Sequence, residues 1–388
     1  MQKKVLALAV AGLVSGAAFA QSNVTIYGVV DAGFVNSTGG RVGNTGGQSN
    51  YSGIDSGLMA GSRIGFKGEE GLGNGLKAIF ALEYYIAPDI NGSVGTGPTA
   101  TAAGGSGSNT RQSFIGLSHT KYGTLSLGRQ YAFGYGTQVR NDAFGGSAFG
   151  ALAVANGATQ STFVAGSNAR LNNSVVYASP VFSGFSATVG YSYGENSSAG
   201  ATASNGFGQG NNGVWTTGVN YANGPLNVDL GYQTRQNRSA SLFTAAANQT
   251  LTSGATGDNI NEWMLGGSYD FGVAKVFATY QDMNDNNGNS TNEASNKTWS
   301  VGVSVPVFGN GKVIASYADV EWDRRGFDGS NIWSLGYQHA LSKRTTLYTT
   351  YNHVKNDQQV VNAAGMVGAT RFFGETNSTI TAGISHAF

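Results

Sequence analysis

Thr379-Ile380-Thr381-Ala382-Gly383-Ile384-Ser385-His386-Ala387-Phe388 keeps a two-residue beat. Reading back from Phe388, one set is His386, Ile384, Ala382 and Ile380, mostly apolar and ended by an aromatic. The interleaved set is Ala387, Ser385, Gly383, Thr381 and Thr379, small and polar. Successive side chains of a strand point to opposite faces, so this stretch reads as a strand with one apolar side. Chain ends usually fray. A strand that runs to the last residue is expected of a sheet that needs this strand to close.

The other end sets the compartment. Lys3-Lys4 is followed by a run from Val5 to Val14 that is apolar apart from one glycine, then by Ala18-Phe19-Ala20 and Gln21. A short basic region, an apolar core too short to span a bilayer and a small-x-small site form a cleaved secretory leader. Residues 1–20 are expected to be removed, leaving 21–388 as one unit.

Composition narrows the class. Glycine is 60 of 388 residues, about twice the usual share, and charged residues are 11%, under half of it. Glycine, serine, asparagine and threonine run from end to end without a break at which to cut domains. Loss of Lys3 and Lys4 with the leader takes the formal net charge from +1 to −1, which gives nucleic acid no bulk basic surface. There is no cysteine, so an exported chain must be stabilised by something other than disulfides. No apolar run after residue 20 is long enough for a membrane helix, and low hydropathy does not exclude a membrane barrel, whose strands face lipid only with alternate residues.

The beat of the closing segment recurs along the chain. In Val24–Phe34, Val24, Ile26, Val30 and Phe34 share a face opposite Thr25, Tyr27 and Asp31. In Leu76–Ile86, six apolar residues oppose Lys77, Glu83 and Tyr85. Further segments are expected at Met59–Gly68, Arg111–His119, Thr124–Gln130, Asn173–Ser179, Phe185–Tyr193, Trp215–Tyr221, Leu226–Arg235, Trp263–Phe271, Ala274–Gln281, Trp299–Val305, Lys312–Trp322, Asn331–Leu341 and Arg344–Val354, with the last ending at Phe388. The count is sixteen, most of them near the ~9–11 residues with which a tilted strand crosses a bilayer.

The links alternate too. Long ones (Val35–Leu58, Ala87–Thr110, Tyr131–Leu171, and so on to Lys355–Glu375) exchange regularly with short ones (Glu69–Gly75, Thr120–Gly123, Pro180–Gly184, Ser342–Lys343). Short turns on one rim and long loops on the other are the arrangement of an outer-membrane barrel, and outward aromatics near segment ends, such as Tyr84, Trp263, Trp299 and Phe388, suit its interfacial girdles. The fold expected is all-β: a 16-stranded antiparallel transmembrane β-barrel with short periplasmic turns and long extracellular loops.

Enzyme motifs find no support. Gly190-Tyr191-Ser192-Tyr193-Gly194 matches a nucleophile elbow but lies inside an alternating strand with no helix after it. The four histidines lack ligand spacing, and nothing points to a metal, a cofactor or an enzyme.

Several stretches together resemble the general porins of Gram-negative outer membranes. Val24-Thr25-Ile26-Tyr27-Gly28-Val29-Val30-Asp31 looks like their first strand. Ser62-Arg63-Ile64-Gly65-Phe66-Lys67-Gly68-Glu69-Glu70, continuing Gly71-Leu72-Gly73-Asn74-Gly75-Leu76-Lys77-Ala78, is similar to their second hairpin arm and turn. Gly123-Thr124-Leu125-Ser126-Leu127-Gly128-Arg129-Gln130 looks like the strand that feeds loop 3, Leu341-Ser342-Lys343-Arg344-Thr345 like a late periplasmic turn, and Gly383–Phe388 like the assembly signal, with His386 and Phe388 in it. The resemblance covers residues 21–388. It implies a trimer in the outer membrane, in contact with lipid and lipopolysaccharide and inserted by the barrel assembly machinery, with a long loop 3 folded inward.

It also implies a constriction. Arg63, Arg111 and Arg170 match a basic ladder on the barrel wall, with Arg129 and Lys67 as further candidates. The family's acidic pair before Phe-Gly-Gly in loop 3 is depleted here: Phe144-Gly145-Gly146 is preceded by Ala143, leaving Asp142, with Arg140 close by. Asp31 and Glu83 are further acidic candidates for the constriction. The expectation is passive diffusion of small hydrophilic solutes and ions through a weakly anion-selective pore. A substrate-specific channel on the same barrel and a secreted β-rich adhesin are the alternatives.

Overall fold

The computed structural model describes residues 23–38, 50–91, 94–95, 110–159, 161, 169–193, 213–236, 241–244, 249–252, 259–285, 295–323, 329–356 and 376–388. The expected leader lies outside them, as do large parts of the long loops.

The strands are β1 Asn23–Thr38, β2 Asn50–Ser56, β3 Arg63–Gly73, β4 Leu76–Tyr85, β5 Thr110–His119, β6 Gly123–Tyr131, β7 Arg170–Ala178, β8 Phe185–Ser192, β9 Val214–Asn223, β10 Leu226–Arg235, β11 Ser241–Thr244, β12 Gln249–Thr252, β13 Ile260–Asp270, β14 Lys275–Asp285, β15 Asn296–Val307, β16 Gly311–Trp322, β17 Gly329–Ala340, β18 Thr345–Asn356 and β19 Thr376–Ala387. Two helices, α1 Phe133–Asn141 and α2 Ala151–Thr159, lie between β6 and β7. β11 and β12 pair only with each other. The rest form one sheet in which each strand is antiparallel to its neighbours, and β1 pairs with β19 to close it. β2 and β3 both lie along β1 and count as one stave, so the barrel has sixteen.

Closure runs from Val29 opposite Ala387 to Thr38 opposite Ser378. Below it, Phe388 N–H donates to Gly28 O at 3.1 Å and Gly28 N–H to Phe388 O at 3.2 Å. Among the described residues, no strand of the barrel is left with an edge to meet lipid unpaired.

Polarity is inverted relative to a soluble domain. Val24, Ile26, Ile115, Leu127, Leu230, Leu335 and Ile384 are exposed on the outside, while Asp31, Glu83, Asp229, Glu262, Gln281 and Asn352 are buried within. That is what strands with lipid on one side and a polar interior on the other must look like. Short turns gather on one rim. One of the tightest is Asn74-Gly75, whose φ values of 51° and 80° give the left-handed pair that joins two right-twisted strands in two residues.

The first stave differs from expectation. β1 runs on to Thr38 and 50–56 is strand, so much of the expected link Val35–Leu58 is sheet. Barrel pairing then breaks over 57–62, where β1 offers only Val30 and Asp31 between the partners Ala32–Ser56 and Val29–Arg63. The extra residues bulge inward. The sequence Asn50-Tyr51-Ser52-Gly53-Ile54-Asp55-Ser56 has no apolar beat to mark it as a strand.

Loop 3 folds into the barrel. α1 packs on β9, β10 and β13, and α2 on β15, β16 and β17. Around α2, Phe149, Ala151, Val154 and Ala155 join Val35, Leu58, Ala318, Val320, Ile332, Tyr348 and Val354 in an apolar core inside the barrel. A buried Phe or Val contributes about 1.5–3 kcal/mol against ~1 kcal/mol for a typical hydrogen bond. Apolar packing therefore keeps the loop down, and hydrogen bonds fix where it lies.

Candidate functional site

Three arginines project from one wall. Arg63 opens β3 on the inner side, sharing a face with Lys67, whose ammonium stands 5.2 Å over the Tyr27 ring. Arg111 reaches that wall by a register shift: Leu82 pairs with Ser113 and Glu83 with Gln112, but Tyr84 with Thr110, leaving Arg111 as the extra residue. Strict alternation would send it to the outer face with Ile115 and Leu117. A bulge re-aims the side chain. Arg170 starts β7 opposite Tyr131, beyond a second shift between Gly128 and Gln130.

One carboxylate joins two of these arginines. Arg111 Nε donates to Glu83 Oε1 at 2.6 Å, Arg63 Nε stands 3.6 Å from Glu83 Oε2, and Tyr27 Oη donates to the same oxygen at 3.0 Å. Tyrosines carry the rest. Arg111 Nη2 and Arg170 Nη2 donate to Tyr131 Oη at 2.7 and 3.3 Å. The Arg170 guanidinium lies 5.4 Å over Tyr85 and 4.8 Å over Tyr131, and Arg111 lies 4.7 Å over Tyr85. Tyr135 of α1 stacks on Tyr131 at 3.9 Å, so the ladder meets loop 3 where the loop leaves the wall. Guanidinium over a ring face keeps its charge while fixing its place.

The opposite wall is cut to receive the loop. Gly218, Gly266, Gly302 and Gly336 stand on the inner faces of β9, β13, β15 and β17. A Cβ at Gly266 would come within 2.7 Å of Asn141, one at Gly302 within 2.6 Å of Ala143 and one at Gly336 within 2.8 Å of Phe144; one at Gly218 would run into Phe133.

Loop 3 presents little free charge. Arg140, expected as a neighbour of the ladder, instead grips Asp229 of β10, Nη2 to Oδ1 at 2.6 Å and Nε to Oδ2 at 3.1 Å. Asn141, Asn220 and Asn227 also donate to that carboxylate. Asp142 turns its carboxylate into the loop, where Oδ2 accepts Gly146 N–H at 2.9 Å. Burial pushes its carboxyl up to about 6, against the backbone N–H groups that hold it down.

Three further expected residues lie away from an open ladder. Asp31 is fully buried: Oδ1 accepts Leu58 N–H at 2.7 Å, Met59 N–H at 3.2 Å and Tyr348 Oη–H at 3.0 Å. Arg129 shares strand parity with the outward Leu125 and Leu127, and donates to Thr110 O at 2.8 Å and to Asn172 Oδ1. His386 Nδ1 lies 2.9 Å from Thr345 Oγ1 on the outer side. Phe388 covers Gly28, where any Cβ would strike its ring.

The tyrosines of the ladder and Asp229 were not expected as site residues. Tyr85 and Asp229 do stand on the charged faces of their segments, which is the signal available. Tyr131 and Tyr135 flank the start of a loop and carry no periodic mark.

An inward loop that narrows a sixteen-stave barrel beside a basic wall leaves one comparison to decide. The family model for Gram-negative porins matches residues 7–359. The chain belongs to the Gram-negative porin family. Outer membrane porin protein 32 of Delftia acidovorans is 32% identical over all of both chains. An outer membrane porin protein of Bordetella pertussis is 32% identical over 92% of this chain and 95% of its own. The solved anion-selective porin from Comamonas acidovorans superposes with a TM-score of 0.72 at 29% identity, over 95% of this chain and 100% of that one.

This porin is an outer-membrane channel and not an enzyme, and the soluble adhesin drops out. Solutes cross it by passive diffusion, through a barrel into which loop 3 folds. Porins of this family are trimeric outer-membrane proteins.

Proposed function

We propose that this porin is a weakly anion-selective, non-specific channel whose constriction is formed by Arg63, Arg111 and Arg170, widened in its field by Lys67. The observation that carries this reading is that Arg63 and Arg111 share one carboxylate, Glu83, while Arg170 joins them on the same wall through the Tyr131 hydroxyl. The loop does not offset the surplus: Arg140 is paired with Asp229, and Asp142 is buried. A cationic rim between low-dielectric walls concentrates anions at the narrowest section. The anion-selective relative from Comamonas acidovorans supports the same sign.

We extend the reading to the assembly. The protein forms a homotrimer, meets lipid and lipopolysaccharide with its apolar outer band, and is inserted by the barrel assembly machinery through its closing strand, with Phe388 and His386 as the signal. The family's trimeric habit and the outward side chains of β19 support this.

The test is the zero-current potential of purified protein in a planar bilayer under a salt gradient. A potential of anion-selective sign is expected; a clear cation preference overturns the arginine reading. Closing steps in threes test the trimer in the same trace.

A further inference from the structure

We infer that Asp31 is a positioning residue for loop 3: it holds the inward bulge at 57–62, and the bulge holds the tip of the loop that sets the width of the pore. The chain of contacts is continuous. Asp31 Oδ1 accepts the N–H groups of Leu58 and Met59, and Asp31 O accepts Gly57 N–H at 2.9 Å. Ser62 closes the other end, its Oγ accepting Asp31 N–H and donating to Asp31 O, both at 2.9 Å. Leu58 O then accepts Ser147 Oγ–H at 3.0 Å and Ala148 N–H at 3.3 Å, from the tip of loop 3.

The bulge needs this carboxylate. Between Ser56 and Arg63, β1 has too few residues to pair with six, and orphaned backbone N–H groups inside a barrel are costly. A side-chain acceptor at Asp31 satisfies two of them at once. With that anchor in place, the Leu58 carbonyl points at Ser147.

The far side of the tip is held separately. Ala151 N–H donates to Ser316 Oγ at 3.1 Å, Ser334 Oγ–H donates to Phe149 O at 2.8 Å, and Asn352 Nδ2–H donates to Phe149 O at 3.3 Å. Loop 3 is thus clamped between β16–β18 and a bulge that exists because of Asp31. Tyr348 of β18 ties the two clamps together through the same Asp31 oxygen.

A positioning role and a pore-charge role make opposite demands on the conservative variant. Asparagine keeps the accepting oxygen and loses the charge; alanine loses both. The experiment is single-channel recording of wild-type, Asp31→Asn, Asp31→Ala and Ser147→Ala porin, reading open-channel noise and brief transitions beside the zero-current potential. If Asp31 positions the loop, Asp31→Ala raises the frequency of brief transitions about tenfold, the population change that ~1.4 kcal/mol of lost anchoring produces. Asp31→Asn stays near wild type, and none of the variants moves the potential appreciably. Ser147→Ala, which alters no charge and leaves the wall intact, reproduces the rise in milder form, so the inference is decided even if Asp31→Ala fails to assemble. Equal shifts of potential in Asp31→Asn and Asp31→Ala with unchanged noise would make Asp31 a pore charge and overturn the inference. Quiet traces from Ser147→Ala would overturn it too. The anion reading is judged by the sign of the wild-type potential and stands or falls apart from this.

Discussion

Arg111 and Glu83 are joined at 2.6 Å, and they meet only because a bulge turns Arg111 off the outer beat of β5. The pair sits at the centre of the basic wall, so Glu83 is both its structural clasp and the carboxylate that Arg63 and Arg111 share.

Glu83→Gln should therefore do two things. It removes the negative charge that Arg63 and Arg111 share, and the zero-current potential should move further toward anion preference. It also trades an ion pair for a bond from a charged donor to a neutral amide oxygen, at about 1–3 kcal/mol, read as a lower dissociation temperature of the assembled protein. A potential that moves toward cations would contradict the ladder.

Removing the positive side should act in reverse. Arg63→Ala with Arg170→Ala lowers anion preference while the yield of folded protein holds, because both guanidiniums rest on tyrosine faces or carbonyls that survive their loss. Arg111→Ala should cost more in assembly, since it also strips Glu83 of its closest partner.

The preference should also fade with salt. The Debye length shrinks from about 30 Å at 0.01 M to about 3 Å at 1 M, so the wall's field reaches ever less of the lumen. Measured at a fixed gradient ratio, anion selectivity should fall steadily over that range. Salt-independent selectivity would point to a size filter instead.

Loop 3 should respond to pH through Asp142. Its folded carboxyl titrates near 6, above the ordinary value of 3.8, so the folded loop binds the proton more tightly than the unfolded one. Stability from this group is then fully present below about 4 and declines as pH rises through about 6. Hydrogen exchange of loop 3 amides, corrected for intrinsic rate, should be better protected at pH 4 than at pH 7. Asp142→Asn should abolish the difference.

Closure can be tested at one contact. Gly28→Val places a side chain where the Phe388 ring and the Arg63 carbonyl lie. Both this change and deletion of Phe388 should reduce folded, heat-modifiable barrel in the outer membrane. Unaltered yield from both would remove Phe388 from assembly.

Much of this was legible in the residues. Leu76–Ile86 and Thr379–Phe388 carry the two-residue beat because lipid and lumen select opposite side chains on alternate positions, and long and short links set the direction of each strand. What the beat did not carry had no periodic mark. Arg111, matched to the wall by resemblance alone, reaches it by breaking the beat. The 57–62 bulge is drawn in by a carboxylate on another strand. Arg140 and Asp229 meet across 89 residues of chain, and neither announces its partner. The helices of loop 3 are short and rich in glycine and alanine, and they owe their place to the hollows that receive them.

Those hollows, at Gly218, Gly266, Gly302 and Gly336, impose an order of events. Each is a dent in a different strand, and they line up only once β9 to β17 stand in register. Loop 3 reaches its full seat only then, so the narrowing that makes the barrel a sieve is completed after its staves.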